Sequence, residues 1–247
     1  MKGLQDLIRK FLNDMAALPE DPMRVDLLGR RLKELGAVRA SLFLHSLYAL
    51  PDDDVVRKAK SLMVDPEGIR SAVGAGFYRS IYLASVEGGF RKISRLFTDL
   101  PPFKEGPYGY DKEEDAKMES MTLGERRTLS KGLIRDKLAR LLADPDPMVV
   151  RNLLDNPRIT EKDVLKIASK RPGSARILKT IAVHRVWSRR YDVIKALVSN
   201  PYALPRVTIA LLDALLTQDL KAIAGDGSLH PEVTRSAVEL VEERGGQ

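Results

Sequence analysis

Apolar residues recur every three or four positions along most of the chain, the spacing that places them on one face of an α-helix. The first stripe consists of Leu4, Leu7, Ile8, Phe11, Leu12 and Met15, and the second of Val25, Leu28, Leu32 and Leu35. Asp21 and Pro22 precede the second stripe as cap and first-turn residues, and Gly36 ends it. The pattern predicts an all-α fold with about seven short helices in the first hundred residues.

Proline and charged residues mark where further helices begin and end. The third predicted helix stops at Pro51, and Asp52 to Asp54 place negative charge at the start of a fourth, where the helix dipole favours it. Two more helices are predicted at 66–73 and 76–87, followed by a last short helix that runs to about Leu100. The acidic run is therefore interpreted as a helix cap.

Residues 101–122 interrupt the helical pattern with prolines, glycines and charged side chains. We predict a charged Pro/Gly linker here, between an N-terminal helical bundle (residues 1–100) and C-terminal helical repeats (residues 123–247). The alternative is a recognition loop built on three aromatic residues, Phe103, Tyr108 and Tyr110.

The C-terminal block repeats one pattern of helix, turn and helix four times. The four segments start at Leu138, Leu165, Ile194 and Leu220, which are 27, 29 and 26 residues apart. Their turns contain Asp144-Pro145, Arg171-Pro172, Asn200-Pro201 and Asp226-Gly227. A period in the twenties with two short helices per repeat is typical of a solenoid, in which stacked repeats supply the core. We predict an α-solenoid of helix pairs.

The stretch LLADPDPMVVRNLLDNPRITEKDVLKIA resembles the leucine-rich repeat variant and HEAT-like families of bacterial helical repeats. Those families carry Asp-Pro and Asn-Pro turns between short helices, as at Asp144-Pro145 and Asn156-Pro157 here. The resemblance covers roughly residues 125–243, although the fourth repeat has Gly227 where proline would stand. It implies a HEAT-like α-solenoid that presents a curved surface to a partner, and such folds serve many functions.

The chain contains no cysteine, which excludes disulfides, zinc-thiolate sites, iron-sulfur clusters and cysteine nucleophiles. A reducing cytoplasm is the compartment most consistent with this composition. No segment approaches the roughly 20 apolar residues needed to span a bilayer. We expect a cytoplasmic protein that does not insert into membranes.

The net charge of +7 is concentrated in the second half of the chain. Residues 1–120 contain 19 Lys and Arg against 19 Asp and Glu, whereas residues 121–247 contain 22 against 15. One window is strongly basic and also contains two aromatic residues. The predicted partner-binding residues are Lys166, Lys170, Arg171, Arg176, Lys179, Arg185, Trp187, Arg189, Arg190 and Tyr191.

Two functions fit this basic surface. The first is a non-enzymatic adaptor that binds an acidic protein or peptide. The alternative is a nucleic-acid-binding HEAT-like protein, in which cations contact phosphates and Trp187 and Tyr191 stack on bases. With Asp192 beside this aromatic pair, such a protein could be DNA glycosylase-like. In a third arrangement, the N-terminal block docks on the concave side of the repeats.

Residues typical of catalysis or metal binding are scarce. The three histidines, His45, His184 and His230, lie far apart and lack metal-binding spacing. No Walker loop, dinucleotide-binding glycine motif or serine nucleophile elbow is present. We therefore predict neither a catalytic site nor a cofactor or metal.

Overall fold

A computed structural model describes residues 2–51, 53–106 and 120–245, and within these ranges the chain forms helices, turns and loops but no strand. The all-α prediction is confirmed for this part of the chain. By contacts between Cα atoms, the chain divides into two compact units. The first consists of the residues up to Leu100 together with Ile209–Asp213, and the second contains the rest.

Six helices form the N-terminal part of the first unit. They are α1 (Lys2–Ala16), α2 (Asp21–Tyr48), α3 (Asp54–Ser61), α4 (Pro66–Val73), α5 (Ala75–Glu87) and α6 (Arg91–Leu96). The boundaries agree closely with those expected from the sequence, except that α2 spans two predicted helices. Gly36 lies between them with φ 72° and ψ 162°, a non-helical conformation that suits glycine because it has no Cβ.

The acidic run before α3 acts as a helix cap where the structure describes it. The Asp53 carboxylate accepts a 2.7 Å hydrogen bond from the backbone N–H of Val56 and thereby satisfies an otherwise unpaired donor in the first turn of the helix. Asp52 lies outside the described residues.

The core of the first unit is built from the helix stripes seen in the sequence. Phe11 of α1 and Phe43 of α2 are fully buried and meet edge to face, with ring centroids 5.6 Å apart. Helix α2 contacts α1, α4, α5 and α6. Gly29 allows the close approach of α4, because a Cβ there would lie 2.6 Å from the Cβ of Ala72. The long central helix α2 thus organises this unit.

Within the described residues 120–245, nine α-helices follow. They are α7 (Leu123–Ser130), α8 (Arg135–Arg140), α9 (Pro147–Leu154), α10 (Glu161–Ser169), α11 (Ala175–Ala182), α12 (Tyr191–Val198), α13 (Pro205–Leu211), α14 (Thr217–Ala224) and α15 (Pro231–Gly245). The four repeated segments correspond to the pairs α8/α9, α10/α11, α12/α13 and α14/α15. In the second unit α9 contacts both α7 and α11, and α10 contacts α12, so helices pack against the next but one along the chain.

The start of the predicted linker packs against the second unit. The Lys104 backbone N–H donates a 3.0 Å hydrogen bond to the carbonyl of Pro201, and the Phe103 and His230 rings lie 6.3 Å apart. Pro101–Gly106 belong to the second unit by their contacts. Residues 107–119, which include Tyr108 and Tyr110 of the alternative recognition loop, lie outside the described residues.

A recurring side-chain hydrogen bond closes the turns between helices of the second unit. At five of these turns a side-chain acceptor binds the backbone N–H two residues later, which supplies a bond that the ended helix cannot. The acceptors are the oxygens of Asp144, Asn156, Asn200 and Asp226 and the Nδ1 atoms of His184 and His230, at 2.9 to 3.3 Å.

Two of these turn residues also tie neighbouring helices together. The amide of Asn156 donates to the carbonyls of Ser130 and Gly132, at 2.9 and 2.7 Å, at the end of α7. The amide of Asn200 donates likewise to Ala168 and Lys170, at 2.7 and 3.2 Å, at the end of α10. Asparagine suits both positions because it offers an acceptor for its own turn and donors for another helix end.

Candidate partner-binding surface

Three loops of the second unit lie side by side, and we call them together the loop edge (residues 131–134, 155–160 and 183–190). The first two are joined by the amide of Asn156 and by a 3.2 Å hydrogen bond from the Arg135 guanidinium to the carbonyl of Arg158. The second and third are joined through His184 and Trp187. The loop edge is therefore a continuous surface made from segments distant in sequence.

Trp187 joins the third loop to the end of α9. Its indole Nε1 donates a 2.8 Å hydrogen bond to the carbonyl of Leu154, and its side chain is 9% exposed. Buried indole N–H groups need such a partner, and the ring fills space between helix ends. The structure thus places Trp187 as a wedge between loops and leaves little of its ring available for a partner.

His184 organises the backbone beside this wedge. Its Nδ1 lies 3.3 Å from the Val186 backbone nitrogen and 3.4 Å from that of Trp187, and its Nε2 lies 3.3 Å from an Asp155 carboxylate oxygen. Burial lowers the pKa of His184 below its usual value, although Asp155 favours the protonated form. A neutral ring with its proton on Nε2 fits all three contacts, because Nδ1 then accepts and Nε2 donates.

The loop edge combines positive charge with exposed aliphatic side chains. The structure describes all of its residues, which include five cations, Lys131, Arg158, Arg185, Arg189 and Arg190, and one acidic residue, Asp155. The five cations are exposed. Between them stand Leu133 and Ile134, which are 59% and 57% exposed, and Val183 and Val186, which are 41% and 42% exposed. Such a surface suits a partner that is both acidic and partly apolar.

The other predicted cations lie on α10, on α11 and on the turn between them. Lys166 and Arg176 are exposed, Lys170 and Lys179 are half-buried, and the exposed Arg171 donates to the carbonyl of Ser199. Arg171 and the loop-edge arginines stand at opposite ends of α11, whose eight residues span about 12 Å. The predicted stripe therefore covers two separate regions, and only its Arg185 to Arg190 part lies on the loop edge.

Tyr191 takes part in a local network that links α12 to α14. Its hydroxyl donates to the Asp219 carboxylate and accepts a 3.1 Å hydrogen bond from the Leu216 backbone N–H, and Lys195 lies 2.9 Å from the same carboxylate. Hydrogen bonds from Lys195 and Tyr191 lower the pKa of Asp219. Trp187 and Tyr191 therefore make structural hydrogen bonds, Trp187 to Leu154 and Tyr191 to Asp219 and Leu216. Asp192, which could support glycosylase-like chemistry, is exposed to solvent on α12.

Sequence reasoning did not identify the contributions of the first two loops. The connections that precede the first two predicted helix pairs contain Lys131, Leu133, Ile134 and Arg158. The sequence repeats, in contrast, were aligned by the turns inside each helix pair. Two signals pointed to these connections: Leu133 and Ile134 stand outside any helical stripe, and Asn156-Pro157 resembles Asn200-Pro201.

Two other kinds of site are not found in the part of the chain that the structure describes. No group of three or more His, Asp or Glu side chains in these ranges could hold a metal ion. In residues 2–51, 53–106 and 120–245, no helix is long and apolar enough to cross a membrane.

Comparison with known proteins finds no matching protein-family model, no matching curated protein and no matching solved structure. The resemblance to HEAT-like and leucine-rich repeat variant proteins therefore stays a prediction that rests on the sequence. Any functional conclusion has to come from the surface itself.

Proposed function

We propose that this chain is a non-enzymatic helical-repeat adaptor, and that its second unit is a HEAT-like α-solenoid. Support for the solenoid comes from helices that contact the next but one along the chain, as α9 does with α7 and α11. Further support comes from Asn156 and Asn200, each of which binds carbonyls at the end of the helix two before its own. Contacts of this kind, repeated from one helix pair to the next, build a stack of repeats.

The adaptor binds an acidic protein or peptide through its basic surface. The observation that supports this best is the composition of the loop edge, which has five exposed cations, four exposed aliphatic residues and only one acidic residue. Basic groups at the rim of an interface increase the association rate with an acidic partner, and apolar groups at its centre contribute most of the affinity.

Nucleic acid binding is the alternative, because phosphates would also be attracted to these cations. Binding of single strands gains much of its affinity from bases that stack on aromatic rings. Trp187 is buried and bonded to Leu154, and the Tyr191 hydroxyl is bonded to Asp219, so neither ring is arranged as an open platform for stacking. The aliphatic residues between the cations favour a protein partner.

Fluorescence anisotropy tests this proposal with a labelled Glu-rich peptide containing leucines, a peptide of the same composition with Lys replacing Glu, and short single- and double-stranded DNA and RNA. Titrations are made at low and physiological salt. We expect the acidic peptide to bind with micromolar affinity and the basic peptide not to bind. Nucleic acids that bind more tightly than the acidic peptide at physiological salt would overturn the proposal in favour of the alternative.

Charge-reversed variants locate the surface. We expect Arg185→Glu with Arg190→Glu to lower affinity for the acidic peptide at least tenfold. The matched control, Arg39→Glu with Lys221→Glu, makes the same change of net charge at exposed positions that are not part of the loop edge and should retain binding. Equal losses in the two double variants would mean that net charge alone, and no particular surface, attracts the peptide.

A further inference from the structure

We infer that the segment bound at the loop edge is an acidic amphipathic helix whose apolar residues recur every seven positions. This inference rests on the proposed function, because it specifies the partner of the same surface. It follows from the order of the apolar residues across the three loops, from the spacing of the helices that carry them, and from the position of the cations.

The apolar side chains of the loop edge form a row. Leu133 and Ile134 stand in the first loop, the exposed Pro157 in the second, and Val183 and Val186 in the third. The hydrogen bonds of Asn156, His184 and Trp187 hold the loops in this order. The row therefore crosses the ends of α7, α9 and α11, and each helix end contributes at least one apolar side chain.

The spacing of this row matches a helical ligand. Helices α7, α9 and α11 contact one another in sequence, and packed helices lie about 8 to 10 Å apart. A ligand helix rises about 10.5 Å over seven residues and returns to nearly the same face, so positions i, i+7 and i+14 can meet the three loops. In an extended chain at about 3.3 Å per residue, a 10 Å step takes three residues and points successive anchors to opposite sides.

Cations lie next to the apolar positions along each loop. Arg158 follows Pro157 directly, and Arg185 lies between Val183 and Val186 in sequence. Asp155, the single acidic residue of the loop edge, is bonded to His184. A ligand helix that carries Glu beside its apolar stripe would therefore meet positive charge next to the apolar row, which adds attraction.

Three peptides of about 18 residues and equal net charge test the inference by fluorescence anisotropy. The first carries Leu at i, i+7 and i+14 among Glu and Ala, the second carries the same residues with the leucines moved to different faces, and the third has Ser in place of Leu. We expect the first peptide to bind about tenfold more tightly than the other two, since burial of Leu on an apolar surface favours binding.

Variants of the protein show whether the row causes this preference. We expect Ile134→Ser with Val186→Ser to lower affinity for the first peptide to that of the third. The matched control Val238→Ser, at a valine that is 40% exposed on α15, should leave the preference intact. Because all three side chains are well exposed, we expect little change in thermal unfolding, and a circular dichroism melt of each variant checks this.

The outcomes separate the two proposals. If all three peptides bind equally and binding is lost in Arg185→Glu with Arg190→Glu, the adaptor function stands and the helical partner is overturned. If no peptide binds at low salt, both fail. Anionic phosphatidylserine vesicles are tested in parallel, because basic and aliphatic groups could also contact a lipid surface. Suppose that the protein binds these vesicles but no peptide, and that Ile134→Ser with Val186→Ser abolishes vesicle binding. The apolar row would then be a lipid-binding surface, and both proposals would be overturned.

Discussion

The carboxylate of Asp163 provides a measurable link between two neighbouring repeats. It is almost completely buried at the start of α10 and accepts hydrogen bonds from the Thr160 hydroxyl at 2.6 Å and the Thr160 backbone N–H at 2.9 Å. The guanidinium of Arg135, at the start of α8, lies 2.6 Å from its other oxygen. Replacing Asp163 with Asn removes the charge and keeps the shape.

The pKa of Asp163 gives the expected size of the effect. Burial opposes ionisation, but the hydrogen bonds from Arg135 and Thr160 outweigh it and lower the pKa from 3.8 to about 2. At about 1.4 kcal/mol per unit of pKa difference, the ionised form contributes at most about 2.5 kcal/mol to the free energy of unfolding. Arg135 is about half exposed and water screens its share, so we expect Asp163→Asn to cost about 1 to 2 kcal/mol at pH 7.

The effect should depend on pH with a definite sign. Because the pKa is lower in the folded protein, the unfolded chain binds the proton more readily, and the stabilisation is fully present well above pH 3.8. It is lost as the pH falls from 3.8 towards 2. Urea unfolding of the wild type and Asp163→Asn, followed by circular dichroism at pH 7, 4 and 3, should therefore give a difference that is nearly constant down to pH 4 and about half as large at pH 3.

Two results would refute this reasoning. A loss below about 0.5 kcal/mol at pH 7 would mean that the Asn amide replaces the carboxylate in all its contacts. A loss that is the same at pH 7 and pH 3 would mean that the replacement of an acceptor oxygen by an amide NH2, rather than the lost charge, causes it. The control Asp192→Asn changes an exposed carboxylate on α12 and should have little effect at any of these pH values.

Two further substitutions separate structural from binding roles in the loop edge. Trp187→Phe removes the hydrogen bond to the Leu154 carbonyl and retains an aromatic ring. We expect the free energy of unfolding in urea to fall by about 1 to 2 kcal/mol and the peptide affinity to stay unchanged. A stable variant that no longer binds the peptide would contradict the structural role of Trp187. Asn156→Ala removes the hydrogen bond that closes its own turn and both bonds to the end of α7, so we expect the free energy of unfolding to fall by about 2 to 3 kcal/mol. Asn156→Asp retains the acceptor of the turn, so we expect a smaller loss. Equal costs for the two Asn156 variants would show that its turn acceptor contributes nothing.

Much of the local structure follows from nearby residues. The helix stripes, the break at Gly36 and the cap formed by Asp53 depend on interactions within a few positions, which periodicity and capping preferences describe well. The four helix pairs of the C-terminal half could be predicted for the same reason, because three of their four turns are closed by a side chain that binds the backbone two residues later.

The candidate surface could be predicted only in part. The basic window correctly pointed to Arg185, Arg189 and Arg190 as exposed cations, because a run of arginines near a helix end cannot all be buried. The sequence of the same window did not indicate that Trp187 is buried. An aromatic residue between arginines fits a binding site and a packed wedge equally well until its neighbours are known.

By itself the sequence determined the all-α class, the helix lengths and the basic character of the second half, since these depend on periodicity and composition. Only the tertiary structure decided which loops become neighbours: it brings Asn156 to carbonyls at Ser130 and Gly132, and Trp187 to Leu154, more than twenty residues earlier in each case. These contacts depend on how the helices of the second unit pack against one another, and packing is set by the shapes of many buried side chains together rather than by any local pattern.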